Sequence, residues 1–156
     1  GIEVFLEEKL PPVAARGATV IANFFGSSIE EYANAAKKLG SSKELAALEA
    51  NISCPNVGGA EGKFFGSTPE RAAEITRVCR AATDKLLIVK LTPETRDIGE
   101  VAAAVAEAGA DAGNRPGSRP TDAGRRRAFA RAAGPEARRR YRCGAAGGVR
   151  WPWPAR

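Results

Sequence analysis

The sequence predicts an α/β fold, a fragment of a (β/α)8 TIM barrel holding about three βα units, and three observations predict it. Short apolar runs alternate with longer amphipathic runs from Thr19 to Ala112, the pattern of parallel βα units. A polar side chain closes each apolar run, namely Asn23, Asn51 and Lys90, at the strand end where a barrel's loops converge and its chemistry sits. No G-x-G-x-x-G follows any of the runs, which removes the main signature of an open dinucleotide-binding sheet.

The elements follow in order. Residues 1–9 read as a short amphipathic helix that stops at Pro11 and Pro12, because proline lacks the N–H a helix needs. Residues 19–23 are a short strand ending in an amide. Gly26 and Ser27 turn the chain, and Ser28 with Glu31 forms a capping box for a helix carrying Ile29, Tyr32, Ala33, Ala36 and Leu39 on one face, with Gly40 as its stop. Residues 45–52 form the second strand, followed by a long loop containing Gly58, Gly59, Gly62 and Gly66. Thr68, Pro69 and Glu70 open the next helix as N-cap, first helical residue and first-turn acid, and Ala72, Ile75, Cys79 and Ala82 are its buried face. Leu86, Leu87, Ile88 and Val89 make a third strand without alternation, as expected when both faces are covered. Asp97 and Glu100 cap a third helix with Ile98, Val101, Ala102 and Val105 inward, Gly109 closes it, and Ala110, Asp111 and Ala112 start a fourth strand.

The stretch Asn51-Ile52-Ser53-Cys54-Pro55-Asn56 carries the chemistry. A strand that runs into two amides, a hydroxyl and a thiol is not ending in ordinary turn residues. Carboxamides both donate and accept, which suits a heterocycle with alternating C=O and N–H edges. Pro55 biases Cys54 toward extended backbone, placing thiol and amides on one rim. Cys79, on an apolar helix face, reads as core filler.

Composition divides the chain. Residues 1–112 hold 12 Lys and Arg against 16 Asp and Glu, a net charge of −4, whereas residues 113–156 hold 12 Arg against 2 acids, a net of +10. The basic pI of about 9.6 is therefore a property of the last segment. Of its 44 residues, 33 are Arg, Ala, Gly or Pro, and it contains no Ile, Leu or Lys, so no face periodicity can form. Two domains result: 1–112, a partial barrel, and 113–156, an unrelated Arg/Gly/Ala/Pro-rich C-terminal tail that is disordered or frame-shifted. The absence of His removes the usual general base and the commonest metal ligand, and without any C-x-x-C no zinc or iron–sulfur site is expected; metal ligands are none. A working reduced thiol suits a cytoplasmic setting, and no apolar run approaches the length of a membrane span. Starting at Gly1 with no Met, the chain is expected to be part of a longer one.

Residues 1–112 resemble the catalytic subunit of class 1 dihydroorotate dehydrogenases, particularly the NAD-linked two-subunit branch. The resemblance rests on Glu3-Val4-Phe5-Leu6, Val20-Ile21-Ala22-Asn23 with Gly26-Ser27, Asn51-Ile52-Ser53-Cys54-Pro55-Asn56, Phe65-Gly66-Ser67-Thr68-Pro69-Glu70 and Ile88-Val89-Lys90-Leu91-Thr92-Pro93. It implies a (β/α)8 barrel with FMN at its carboxyl rim, oxidising dihydroorotate to orotate in de novo pyrimidine (UMP) biosynthesis. It implies that Cys54 is the base taking the C5 proton while a hydride leaves C6 for the flavin. Asn23, Asn51 and Lys90 would be FMN contacts, and Asn51 and Asn56 substrate contacts. In that branch electrons pass to a partner subunit with FAD and a [2Fe-2S] cluster, then to NAD. A fixed cation beside the flavin favours its anionic reduced form, which agrees with Lys90.

The departures from that family matter as well. Its first two strands and a substrate-binding segment would lie before Gly1, and its FMN-phosphate loops after Ala112. A sheet so interrupted leaves strand edges and apolar faces bare, so the chain alone is expected to be unstable and inactive. The alternatives are another FMN barrel oxidoreductase of reduced pyrimidines, similar to dihydropyrimidine dehydrogenase, whose family usually carries His where Asn56 stands, or an inactive remnant with a nucleic-acid-binding tail. Nucleic acid is the less favoured partner, although Arg with Trp151, Trp153 and Tyr141 could combine charge and stacking. The expected origin of the tail is a shifted reading frame entered near Ala112. Sequencing codons 105–120 should show that a one-base shift restores strand-and-helix patterning, and a frame with no such patterning refutes the shift.

Overall fold

The computed structural model describes residues 1–54 and 65–114. Pro55, Asn56, Gly58, Gly59, Gly62 and the tail after Asn114 lie outside the described residues, so the readings made of them are not addressed by it.

Four strands, β1 (Val20–Phe24), β2 (Leu45–Asn51), β3 (Leu86–Lys90) and β4 (Ala112–Asn114), form one parallel sheet in the order β1-β2-β3-β4. Sequential order without a reversal is how consecutive βα units build a barrel wall; a doubly wound sheet reverses at a switch point. Helices α3 (Ile29–Gly40), α4 (Pro69–Ala82) and α5 (Ile98–Glu107) link the strands, and α3 packs on α4 and α4 on α5 along one side of the sheet. Before β1 the chain is helical from Ile2 to Ala14: α1 (Ile2–Val4), a wider π-type turn (Phe5–Lys9) and α2 (Leu10–Ala14). The expected stop at Pro11 and Pro12 does not occur. The π turn lets the Leu10 N–H reach the Phe5 carbonyl, and both prolines fall in the first turn of a new helical segment, where their missing N–H groups cost least. Leu10 is buried, and Glu3 forms an ion pair with Lys38 that holds this segment against α3 and lowers the Glu3 pKa.

The helix starts follow from their caps. Ser28 Oγ accepts from Glu31 N (3.2 Å), while the Glu31 carboxylate accepts from Ser27 N (2.6 Å), one residue upstream of the box's usual partner. Thr68 caps α4 through Arg71 N (3.4 Å), and Asp97 caps α5 through Gly99 N (2.6 Å) and Glu100 N. Gly109 has φ +103° and ends α5, with Ala110 N returning to the Val105 carbonyl (3.0 Å), a left-handed closure that glycine adopts without strain. Gly40 behaves differently from its reading as a stop. It is the last helical residue, without positive φ, and a Cβ there would sit 2.3 Å from Thr83 Oγ1. Glycine is needed for the close approach of α3 to the end of α4. Asp111 stands just before β4: its N–H donates to the Leu87 carbonyl (2.9 Å), and its Oδ2 accepts from Arg80 Nη1 (3.0 Å) and Leu87 N (2.9 Å), tying α4 to the amino end of β3.

The helix-facing side of the sheet is the core. Ala22, Phe24, Leu48, Ala50, Leu87 and Val89 are buried there against Tyr32, Leu39, Ile75, Cys79, Val101 and Val105. Strand β3 alternates, with Leu87 and Val89 buried and Leu86, Ile88 and Lys90 only half-buried. The expectation of two covered faces therefore fails in this chain. The second face is the inside of the barrel wall, and only further strands could cover it. Ile21, at 39% exposure, shows the same bare side on β1.

Gly40→Ala should cost about 1–3 kcal/mol by forcing α3 off Thr83, read as a lower urea midpoint. Burial pushes the Cys79 thiol up from 9.0 to about 12. The folded state favours the neutral thiol, so its contribution is complete below pH 9 and is lost as pH rises toward 12. Urea unfolding should show stability falling in that window by up to about 1.4 kcal/mol per pH unit from this group, and Cys79→Ala should flatten that part of the fall.

Candidate functional site

Strand parity places the polar side chains. Asn23 pairs in register with Glu49, Glu49 with Ile88, and Asn51 with Lys90, and all five belong to the half-covered inner face. Neighbouring strands lie about 5 Å apart, so Asn51 and Lys90 are side by side at the carboxyl edge. Asn23 stands one pleat lower, level with Glu49. All three residues read from the sequence as strand-end groups are thus on one face near one rim. Asn56, the third amide, lies outside the described residues.

The turn after β2 is held from several directions. Asn51 Oδ1 accepts from Ser53 N (3.2 Å) and Ser53 Oγ (2.7 Å), an Asx-type turn that curls the backbone over the strand end. Ile52 N donates to the Lys90 carbonyl (3.3 Å), extending the β2–β3 ladder past Asn51. The Tyr32 hydroxyl donates to the Asn51 carbonyl (2.7 Å). Gly66 passes so close that a Cβ there would lie 2.5 Å from the Ile52 carbonyl oxygen. Cys54 emerges from this turn as a half-buried free thiol, whereas Cys79 is fully buried and approaches the Tyr32 carbonyl (3.8 Å), the core position expected of it.

The polar groups divide by what they already hold. Asn23 Nδ2 donates to Glu49 Oε2 (2.6 Å), so this amide's N–H is engaged by the protein. Among the described residues nothing pairs with the Lys90 ammonium or with Asn51 Nδ2, which leaves a cation and an amide donor on adjacent strand positions. The arrangement can bind an electron-rich planar edge and present a thiol beside it.

Sequence reasoning missed two residues here. Glu49 shares the inner face because it lies two positions before Asn51; a carboxylate inside an apolar strand was the available signal. Tyr32 was read only as helix-face core. Its hydroxyl was the signal, since a buried phenol needs a partner.

Iodoacetamide labelling followed by peptide mapping should modify Cys54 at least tenfold faster than Cys79, as exposure controls thiol access; equal rates would mean that the turn and the core are not formed.

Two comparisons place the chain among known proteins. Residues 1–113 match the family model for dihydroorotate dehydrogenase. A Trichlorobacter lovleyi protein named dihydroorotate dehydrogenase B (NAD(+)), catalytic subunit, is 50% identical over 104 residues, covering 67% of this chain and 34% of the relative. The Geobacter sulfurreducens protein of the same name is 47% identical over 107 residues (69% and 35%). Dihydroorotate dehydrogenase A (fumarate) of Lacticaseibacillus paracasei is 47% identical over 109 residues (69% and 37%). The chain spans about a third of the length of these relatives.

Proposed function

Because this chain belongs to the dihydroorotate dehydrogenase family, we propose that its rim is the base-and-cation part of a site that oxidises dihydroorotate to orotate in pyrimidine biosynthesis, the activity belonging to a complete barrel. The observation that carries this reading is the adjacency of Asn51 and Lys90 at the carboxyl edge, with Cys54 delivered by the next turn. The donor set fits FMN: an amide N–H and an ammonium without protein partners among the described residues match the N and O atoms along one edge of its ring. When bound, FMN supplies the hydride acceptor.

The chain's own residues do the rest. Cys54, as thiolate, takes the proton from substrate C5. Lys90 places a fixed positive charge where electron density accumulates. Asn51, its carbonyl and Oδ1 both engaged, has its amide N–H₂ oriented toward ligand. Asn23, locked to Glu49, contributes its remaining carbonyl oxygen to the FMN contact. Asn56 is the further substrate amide. The NAD-named relatives, called catalytic subunits, favour a separate partner subunit and NAD as final acceptor, and the family resemblance adds FAD and a [2Fe-2S] cluster on that partner and a cytoplasmic setting. Among the described residues no helix is long and apolar enough to cross a membrane. The fumarate-named relative, of similar identity, makes the acceptor a separate question from the site.

A chimera with residues 1–112 in place of the matching segment of the Trichlorobacter lovleyi protein tests the reading. It should bind FMN and be reduced by dihydroorotate. Cys54→Ala should slow that reduction about 10²–10⁴-fold with flavin content unchanged, and Lys90→Ala should lower flavin occupancy. Undiminished reduction in Cys54→Ala would refute the assignment.

A further inference from the structure

The end of β2 is supported from beneath by one side chain. Tyr32, on the second turn of α3, is 1% exposed, and its ring lies edge-on between Phe24 of β1 (centroids 6.1 Å apart, 61°) and Phe65 of the segment returning to α4 (5.5 Å, 85°). Its hydroxyl reaches the Asn51 carbonyl at 2.7 Å, nineteen residues along the chain. A single phenol thus touches β1, the end of β2 and the loop entering α4, the elements that border the thiol turn. The ring is fixed by packing on two sides, so the oxygen has little freedom to follow the turn if the turn moves.

We propose that Tyr32 is a positioning residue for the thiol turn: its hydroxyl, by holding the Asn51 carbonyl, sets the direction in which the Asn51 amide and the Cys54 thiol face the inner side of the sheet. This rests on the reading of Cys54 and Asn51 as site residues and adds a residue outside the rim itself. The path is short. Asn51 O is pinned by Tyr32, Asn51 Oδ1 then collects Ser53 N and Oγ, and Cys54 follows one residue later. Removing the hydroxyl leaves the Asn51 carbonyl without that donor, and the turn loses its anchor at the first link. The phenol is suited to a purely structural hydrogen bond: burial raises its pKa above the ordinary value, outweighing the opposing effect of the Gly26 backbone, so it remains a donor throughout the neutral range.

The experiment is site-resolved alkylation of the full 156-residue chain with and without Tyr32→Phe, reading Cys54 and Cys79 separately. Phenylalanine keeps the ring and its two aromatic contacts. The expected result is a change of threefold or more in the Cys54 rate, in either direction, with Cys79 still protected. An unchanged Cys54 rate overturns the proposal. Loss of Cys79 protection in the variant also overturns it, because the phenol would then be a core support only. A wild-type chain whose two thiols react equally has no turn to position and overturns it too. Tyr32→Leu, which removes ring and hydroxyl together, should expose Cys79 and so calibrate the core-disruption signal. The readout needs neither flavin nor dihydroorotate. A chimera that fails to bind FMN therefore refutes the flavin reading while leaving this result intact, and an unchanged Cys54 rate refutes the role of Tyr32 while leaving the flavin reading intact.

Discussion

A parallel sheet can satisfy its backbone only through neighbouring strands, and its two faces only through whatever covers them. In this chain one face is covered and the other only in part: Leu45 and Ala47 are buried there, while Ile21 is exposed. Helices α3, α4 and α5 bury Leu48, Ala50, Leu87 and Val89, and this one-sided core holds the four strands in register. The register sets everything at the rim. Moving β3 by a single residue relative to β2 would turn Lys90 from the inner face to the helix face and place a hydrophobic side chain beside Asn51. The site therefore depends on apolar packing on the side of the sheet that the site residues do not touch.

The covered side also explains the fine structure of the turn. Tyr32 belongs to the core by its ring and to the rim by its hydroxyl. Gly40 and Gly66 let elements approach where any side chain would collide, the first bringing α3 against Thr83 and the second bringing the loop after β2 onto the Ile52 carbonyl. Arg80 and Asp111 do the corresponding work at the amino end, where Asp111 joins the α4 guanidinium to the Leu87 amide. The two ends of the sheet are thus built differently. The amino end is closed by an ion pair that uses its charges internally, while the carboxyl end leaves an ammonium and an amide N–H₂ without protein partners among the described residues. This asymmetry is the division between stability and chemistry known for barrels.

The uncovered face has its own meaning. Ile21, Leu86 and Ile88 are apolar residues that the described part of the chain leaves partly in water. The relatives it matches are longer than this chain, and these side chains have the character of a barrel interior. Here the charged and amide groups of the rim continue an apolar wall rather than interrupting a polar surface.

Much of this was legible in the residues alone. The Thr68-Pro69-Glu70 and Asp97-x-x-Glu100 starts, the glycine end at Gly109 and the inward sets of α4 and α5 depend on local rules of capping and periodicity, which operate within a turn or two of helix. Asn51 and Lys90 could be placed at strand ends because strands end where apolar runs end, whereas β1 runs one residue past Asn23 to Phe24. Other features needed the assembled fold. The passage of the first helix through Pro11 and Pro12 depends on a π turn upstream, the requirement for Gly40 on a threonine forty-three residues away, and the pairing of Asn23 with Glu49 on register between strands. The sequence by itself determined the strands and the helix starts from Ser28 onward, because those choices are settled by neighbours along the chain. Only the tertiary structure decided that Tyr32 holds Asn51, that Lys90 stands beside it without a partner among the described residues, and that one face of the sheet is only half covered, because each is a relation between segments that only packing brings together.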